Sequence, residues 1–191
     1  MPATAPAARA TPQGIGHNAA TQVAAQLNAL LADAFALYMK SKNFHWHVSG
    51  PHFRDYHLLF DEQATQILGM TDLVAERVRK LGCRTHSSLG SLVAARSIAD
   101  NDATDVTPGA MLVELMGDNR ALADRLRETK ALCDEARDYA TSALVDTWID
   151  EAEQRAWFLL EAARGEPEMA EAAASARARS AKGGKEKKPK K

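Results

Sequence analysis

Apolar residues recur along this chain at spacings of three and four, and almost nothing alternates with the period of two that strands need. Four long stretches carry the rhythm. The first runs from about Thr21 to His47, with Val23, Leu27, Leu30, Ala34, Leu37, Tyr38 and Ser41 on one face. Gly50-Pro51 stops it. The second spans about Phe53 to Leu81, with a stripe of Phe53, Phe60, Ile67, Val74 and Val78, and ends at Gly82. The third opens at Thr107-Pro108, a fitting pair for a helix cap and first turn, and turns Met111, Leu115, Leu122 and Leu126 inward. The fourth covers about Thr141 to Ala163, with Val145, Trp148, Ile149, Ala152, Leu159 and Leu160 inward, and closes at Gly165. The pattern predicts an all-α four-helix bundle.

The connection from about Cys83 to Val106 is long for a bundle and contains SLGSLVAARS, which predicts a short extra helix. A crossover of that length lets helices two and three run parallel. Outside the periodic region, residues 1 to 20 are rich in Ala, Thr, Pro and Gly and read as a flexible arm. The bundle is expected over residues 21–170 and a disordered tail over 171–191.

Composition narrows the class. Two cysteines, Cys83 and Cys133, lie far apart with no metal-binding spacing and read as reduced thiols. No apolar run is long enough to span a bilayer, and the first residues lack a signal-peptide core, so a cytoplasmic protein is expected. The formal charge of −1 hides an asymmetry. From Ser175 onward there are eight Lys/Arg and one acid, a local +7. The rest carries sixteen Lys/Arg and twenty-four acids, or −8.

The candidate chemistry sits on helix two. His57, Asp61, Asp72 and Glu76 fall within roughly 100° of arc beside its core stripe, with Thr65 and Leu68 between them. His57/Asp61 and Asp72/Glu76 are both i, i+4 pairs, and each can aim two ligands at one ion. The pairs are fifteen residues apart, which is roughly 22 Å along a helix. If all four hold one metal, a second copy of the helix must supply half of them. An antiparallel two-fold pairing about Gln66 and Ile67 does this, and makes two equivalent sites. His45, at the end of helix one, would complete the shell. Two imidazoles with three carboxylates suit iron, manganese or zinc, and redox-active iron if the site is catalytic. On spacing alone, ordinary surface ion pairs, such as Glu76 with Lys80 or Arg79, remain an equal alternative.

The motif His45-Trp46, Gly50, Phe53, His57, Asp61, Asp72, Glu76 and Arg77 resembles the core motif of the Dps family, the mini-ferritins or DNA-binding proteins from starved cells. The resemblance runs over about residues 21 to 165. It implies a ferritin-like four-helix bundle with a short extra helix in the long connection, assembled as a hollow homododecamer. It further implies a ferroxidase that oxidises Fe²⁺ with hydrogen peroxide at two-fold interfaces and stores ferric mineral. His45, His57 and Asp61 would come from one subunit, with Asp72 and Glu76 from its neighbour. Trp46 resembles a tryptophan that intercepts radicals beside the centre, although a hydrophobic plug explains it equally well. Zinc or manganese are the alternative metals. Acidic pores on three-fold axes are also implied, for which Asp118 and Asp124 are candidates.

His47 stands where the family often has Asn and points about 200° away from His45. It is expected to partner the following turn and not the metal. His17, His52 and His86 have no assigned role. Family members that bind DNA often use a basic terminal extension. Here Arg177, Arg179, Lys182, Lys185, Lys187, Lys188, Lys190 and Lys191 would contact phosphates without reading sequence, which implies a nucleoid-associated protein. The alternative is a DNA-compacting structural protein without significant ferroxidase activity. A full-size ferritin or bacterioferritin does not fit, because the chain has no Glu-x-x-His.

Overall fold

Five helices and a short helical segment after them make up the computed structural model, which describes residues 14–172 and residue 174: α1 (His17–His47), α2 (Phe53–Lys80), α3 (Leu89–Ala95), α4 (Pro108–Glu135) and α5 (Tyr139–Ala162). No strand occurs among the described residues. α1 packs against α2 and α4, α5 packs against α4, and the loosest seam lies between α2 and α5. The core between them is built from Leu27, Leu30, Leu37, Phe60, Ile67, Leu115, Leu122 and Leu126, all essentially inaccessible to solvent. Burying large aliphatic side chains contributes about 1.5–3 kcal/mol each.

Long-range ion pairs give the topology. Asp33 meets Arg125, while Lys40, further along α1, meets Asp118 and Glu114, further back on α4. α1 and α4 are therefore antiparallel. The tight turn at Gly50, with φ of 102°, makes α1 and α2 antiparallel as well. α2 and α4 consequently run parallel, and the connection must travel back along the bundle.

Asp33 anchors that crossover. Its buried carboxylate accepts from the backbone N–H of Ser97 at 2.6 Å and of Ile98 at 2.9 Å, and pairs with Arg125 at 2.7 Å. α3 begins with a reciprocal cap between Ser88 and Ser91. Thr107 caps α4 ahead of Pro108, and Asp138 caps α5. Gly82, with φ of 81°, supplies the left-handed turn after α2.

Some boundaries differ from the sequence expectation. α1 starts at His17, so residues 17–20 belong to the helix and not to an arm; Ala20 is fully buried, and Thr21 donates its hydroxyl to the His17 carbonyl at 2.9 Å. Phe53, expected in the core stripe, is 46% exposed, because it opens α2 at the bundle's end and lies against the His57 ring. α5 starts two residues earlier than expected, at the Asp138 cap. Residues 167–172 are helical, and Glu168 accepts a hydrogen bond from the Thr107 hydroxyl. The first thirteen residues and the basic run from Ser175 onward lie outside the described residues.

Candidate metal centre

The short turn after α1 brings the end of that helix against the start of α2, and with it two imidazoles. His45 donates its Nδ1–H to the His57 carbonyl at 2.7 Å, and His57 donates its Nδ1–H to the His45 carbonyl at 2.8 Å. A carbonyl only accepts, so the proton of each neutral ring sits on Nδ1 and each Nε2 keeps its lone pair. The rings stack with centroids 3.8 Å apart. Two imidazole nitrogens are thus oriented side by side, held by backbone in the way that suits metal-binding histidines.

Asp61, one turn beyond His57, lies 3.9 Å from His45 Nε2. Lys42 Nζ donates to the same Asp61 oxygen at 2.6 Å. That hydrogen bond, with the lysine's charge behind it, holds the Asp61 carboxyl below the usual carboxylate range against the opposing effect of desolvation. Lys42 also stands 5.9 Å from the exposed ring of Trp46. The sequence reading missed Lys42. Its position one turn before His45, on the face that meets α2, was the available signal.

Asp72 and Glu76 lie on the far part of α2. Both are exposed, with Glu76 paired to Lys80 at 3.0 Å and Asp72 edging a cleft of about 320 Å³ walled by Leu31, Phe35, Leu89 and Leu92. Arg77, the next residue of the motif, turns inward to the Thr141 hydroxyl and the Asp138 carboxylate, both at 2.6 Å, and fastens α2 to α5. Among the described residues, no three His, Cys, Asp or Glu side chains gather closely enough to hold a metal ion. The chain therefore presents two separate fragments, His45/His57/Asp61 and Asp72/Glu76. Leu58, Leu68 and Leu73 remain exposed on the open side of the same helix. Uncovered leucines beside these carboxylates are the kind of patch that a contact surface presents.

The other candidates take ordinary positions. His47 donates to the Asn43 carbonyl at 2.8 Å, so its partner is the preceding turn and not the following one. His86 Nε2 bonds the Asn28 carbonyl at 3.1 Å, tying the crossover to α1. His52 sits at the start of α2 with its ring 5.7 Å from Tyr56. Asp118 is committed to Lys40 at 2.7 Å inside the subunit, which argues against a pore role; burial raises its pKa despite that partner. Asp124 is exposed and paired with Arg127. No described helix is long and apolar enough to cross a membrane.

The architecture defines a class: a four-helix bundle with a long central crossover, carrying His57, Asp61, Asp72 and Glu76 along its second helix. The profile of the ferritin-like domain family matches residues 24–165. A DNA protection during starvation protein of Halobacterium salinarum is 35% identical over 140 residues, 72% of this chain and 75% of the relative. The solved structure of an archaeal Dps homologue from Halobacterium salinarum superposes with a TM-score of 0.78 at 28% identity, covering 87% of this chain and 93% of that one. A Dps protein from Vibrio cholerae O1, described as a member of a broad superfamily of ferritin-like diiron-carboxylate proteins, gives a TM-score of 0.75 at 28% identity over 80% and 96% of the two chains. The chain belongs to the Dps family of ferritin-like proteins.

Proposed function

We propose that this protein is a ferroxidase and iron store that assembles as a hollow dodecamer, oxidises Fe²⁺ with hydrogen peroxide at sites shared between subunits, and shields DNA held by its basic tail. The observation that carries the reading is the paired orientation of His45 and His57, with both Nε2 lone pairs free beside Asp61. Ferrous iron is the substrate, and imidazole nitrogen with carboxylate oxygen is a donor set that suits it. Zinc and manganese fit the same donors as substitutes.

In the assembled site, His45, His57 and Asp61 of one subunit face Asp72 and Glu76 of the partner subunit across a two-fold axis. Neither fragment suffices alone, and the exposed Leu58 and Leu68 beside them supply the apolar contact that such an axis would bury. Binding iron at Asp61 requires the Lys42 ammonium to leave its oxygen. Two ferrous ions then give one electron each to hydrogen peroxide, which takes up two protons and departs as two waters. Trp46, exposed beside Lys42, is placed to give up an electron to any radical that escapes this two-electron course.

Eight cationic residues from Arg177 to Lys191, repeated on every subunit, favour sequence-independent and salt-sensitive contact with phosphates. The acidic body leaves the tail as the DNA contact, and a cytoplasmic, nucleoid-associated protein follows.

The test is complementation. His57→Ala/Asp61→Ala and Asp72→Ala/Glu76→Ala subunits should each assemble and oxidise iron poorly. Random pairing in an equimolar reassembled mixture makes half of the dimers mixed, each with one intact site of two, so about a quarter of the wild-type rate should return. A mixture as silent as its parents rejects the shared site. Full activity in either parent rejects the ligand set.

A further inference from the structure

The crossover returns to the bundle along a groove of about 680 Å³ between the end of α1 and the start of α4. Its floor is apolar, made by Phe44, Met111 and the 52% exposed Met39, and its rim is the run from Asp100 to Asp105. Asn43 donates to the Asn101 carbonyl at 3.2 Å, and the Asn101 amide donates to Glu114 at 2.6 Å, so the rim is fixed to both helices. Lys40, also in the wall, is already held between Glu114 and Asp118, and Asp100 is held by Arg96. Asp102 and Asp105 are exposed. Asp105 accepts from the neighbouring Thr104 hydroxyl at 3.3 Å, and among the described residues no Lys or Arg pairs with it or with Asp102.

The described chain ends beside this groove. Thr107, which follows the groove residues Asp105 and Val106, donates its hydroxyl to Glu168, and Glu168 lies over Gly109, where a Cβ would collide with it. Residues 167–172 are helical there, and residue 174 is six positions beyond Glu168. The seventeen residues that follow, 175–191, carry eight cations, and such a length spans roughly 55 Å when extended. Arg177 and Arg179 come within five residues of position 174. Two unneutralised carboxylates over an apolar floor match arginine, whose stem lies on apolar surface while its fork takes a carboxylate.

We propose, on the reading of that segment as the DNA contact, that this groove seats the chain's own basic segment, with Arg177 and Arg179 paired to Asp102 and Asp105. DNA then has to draw the segment off the body in order to hold all of it. The lysines from Lys185 onward remain for phosphate, and the two arginines change partner when DNA arrives. DNA affinity is therefore weaker than eight cations would give, and the groove sets by how much.

The experiment labels carboxylates of the full-length protein with a water-soluble carbodiimide and glycine ethyl ester, and reads the rate at each site by peptide mass spectrometry. Asp102 and Asp105 should react about threefold or more slowly in the wild type than in Arg177→Gln/Arg179→Gln. Glu128 and Glu135, exposed on the far half of α4, should react alike in both. Equal rates at Asp102 and Asp105 in the two proteins overturn the proposal. In gel retardation at low salt, Asp102→Asn/Asp105→Asn should bind duplex DNA about three- to tenfold more tightly. Glu128→Gln/Glu135→Gln removes the same charge away from the groove; if it tightens binding as much, the effect is one of net charge and the proposal falls. A wild-type protein that retards no DNA rejects the basic segment as the DNA contact, and the labelling comparison alone then decides the docking.

Discussion

His45 and His57 each donate Nδ1–H to the other's backbone carbonyl, so the loop between α1 and α2 is closed by the same rings whose Nε2 atoms the proposed site would use. Structure and ligation use opposite ends of one side chain and can be separated. An Asn amide can replace the Nδ1–H bond but supplies nothing at Nε2. His57→Asn should keep a thermal midpoint near wild type while its initial rate of peroxide-driven Fe²⁺ oxidation falls about tenfold or more. His57→Gln, whose oxygen reaches the Nε2 position, should retain more of the rate. Equal rates in His57→Asn and wild type would remove His57 from the ligand set.

Lys42 donates to the Asp61 oxygen, and in the proposed site ferrous iron has to displace it. Lys42→Met should tighten Fe²⁺ binding a few-fold in anaerobic calorimetry at neutral pH, the scale of a part-exposed ion pair. The same change should raise the Asp61 pKa, read from its carboxyl ¹³C shift. Because the folded value is depressed, the pair stabilises the protein above Asp61's ordinary value of 3.8 and ceases to as pH falls through the folded value. Lys42→Met should lack that acid-limb contribution.

Asp33 holds the crossover with two backbone bonds and an ion pair. Asp33→Ala strands the Ser97 and Ile98 N–H groups and leaves Arg125 without its carboxylate. Unfolding free energy in urea should drop by about 3–5 kcal/mol. Asp33→Asn, which keeps one acceptor, should lose less.

Burial, reinforced by Asp138 and Asp134, pushes the Cys133 thiol up to about 12. In the folded protein it should ignore an aromatic disulfide reagent at pH 8 and react only after denaturation. The unfolded thiol ionises near its ordinary 9.0, whereas the folded one resists. Its contribution is thus complete below pH 9 and drains away as pH climbs from 9 towards 12. Cys133→Ala should flatten that part of the stability profile.

Removing residues from Ser175 onward should abolish gel retardation of DNA at low salt without altering iron oxidation. Retardation that persists in the truncated protein would move the contact to the N-terminal residues or the body.

The helices were legible because each carries its own evidence. Three- and four-residue spacing, the Thr107-Pro108 start and the Gly82 stop are all local, and all stand in the structure. The start of α1 was misplaced because an alanine-rich segment looks like an arm, yet alanine is the best helix former and small enough for Ala20 to vanish into the core. The His57/Asp61 and Asp72/Glu76 pairs were visible for the same local reason. Lys42 was not, since its role comes from a partner 19 residues away. No window of sequence displays a cation's neighbours across a seam.

The His57/Asp61 and Asp72/Glu76 pairs sit towards opposite ends of one helix, too far apart to fold back on each other. On the proposed function, a newly made subunit of this design is harmless towards ferrous iron: it has no complete place to oxidise it until it meets its copy. The proposed chemistry would thereby be licensed only where a container for its insoluble product is already being built.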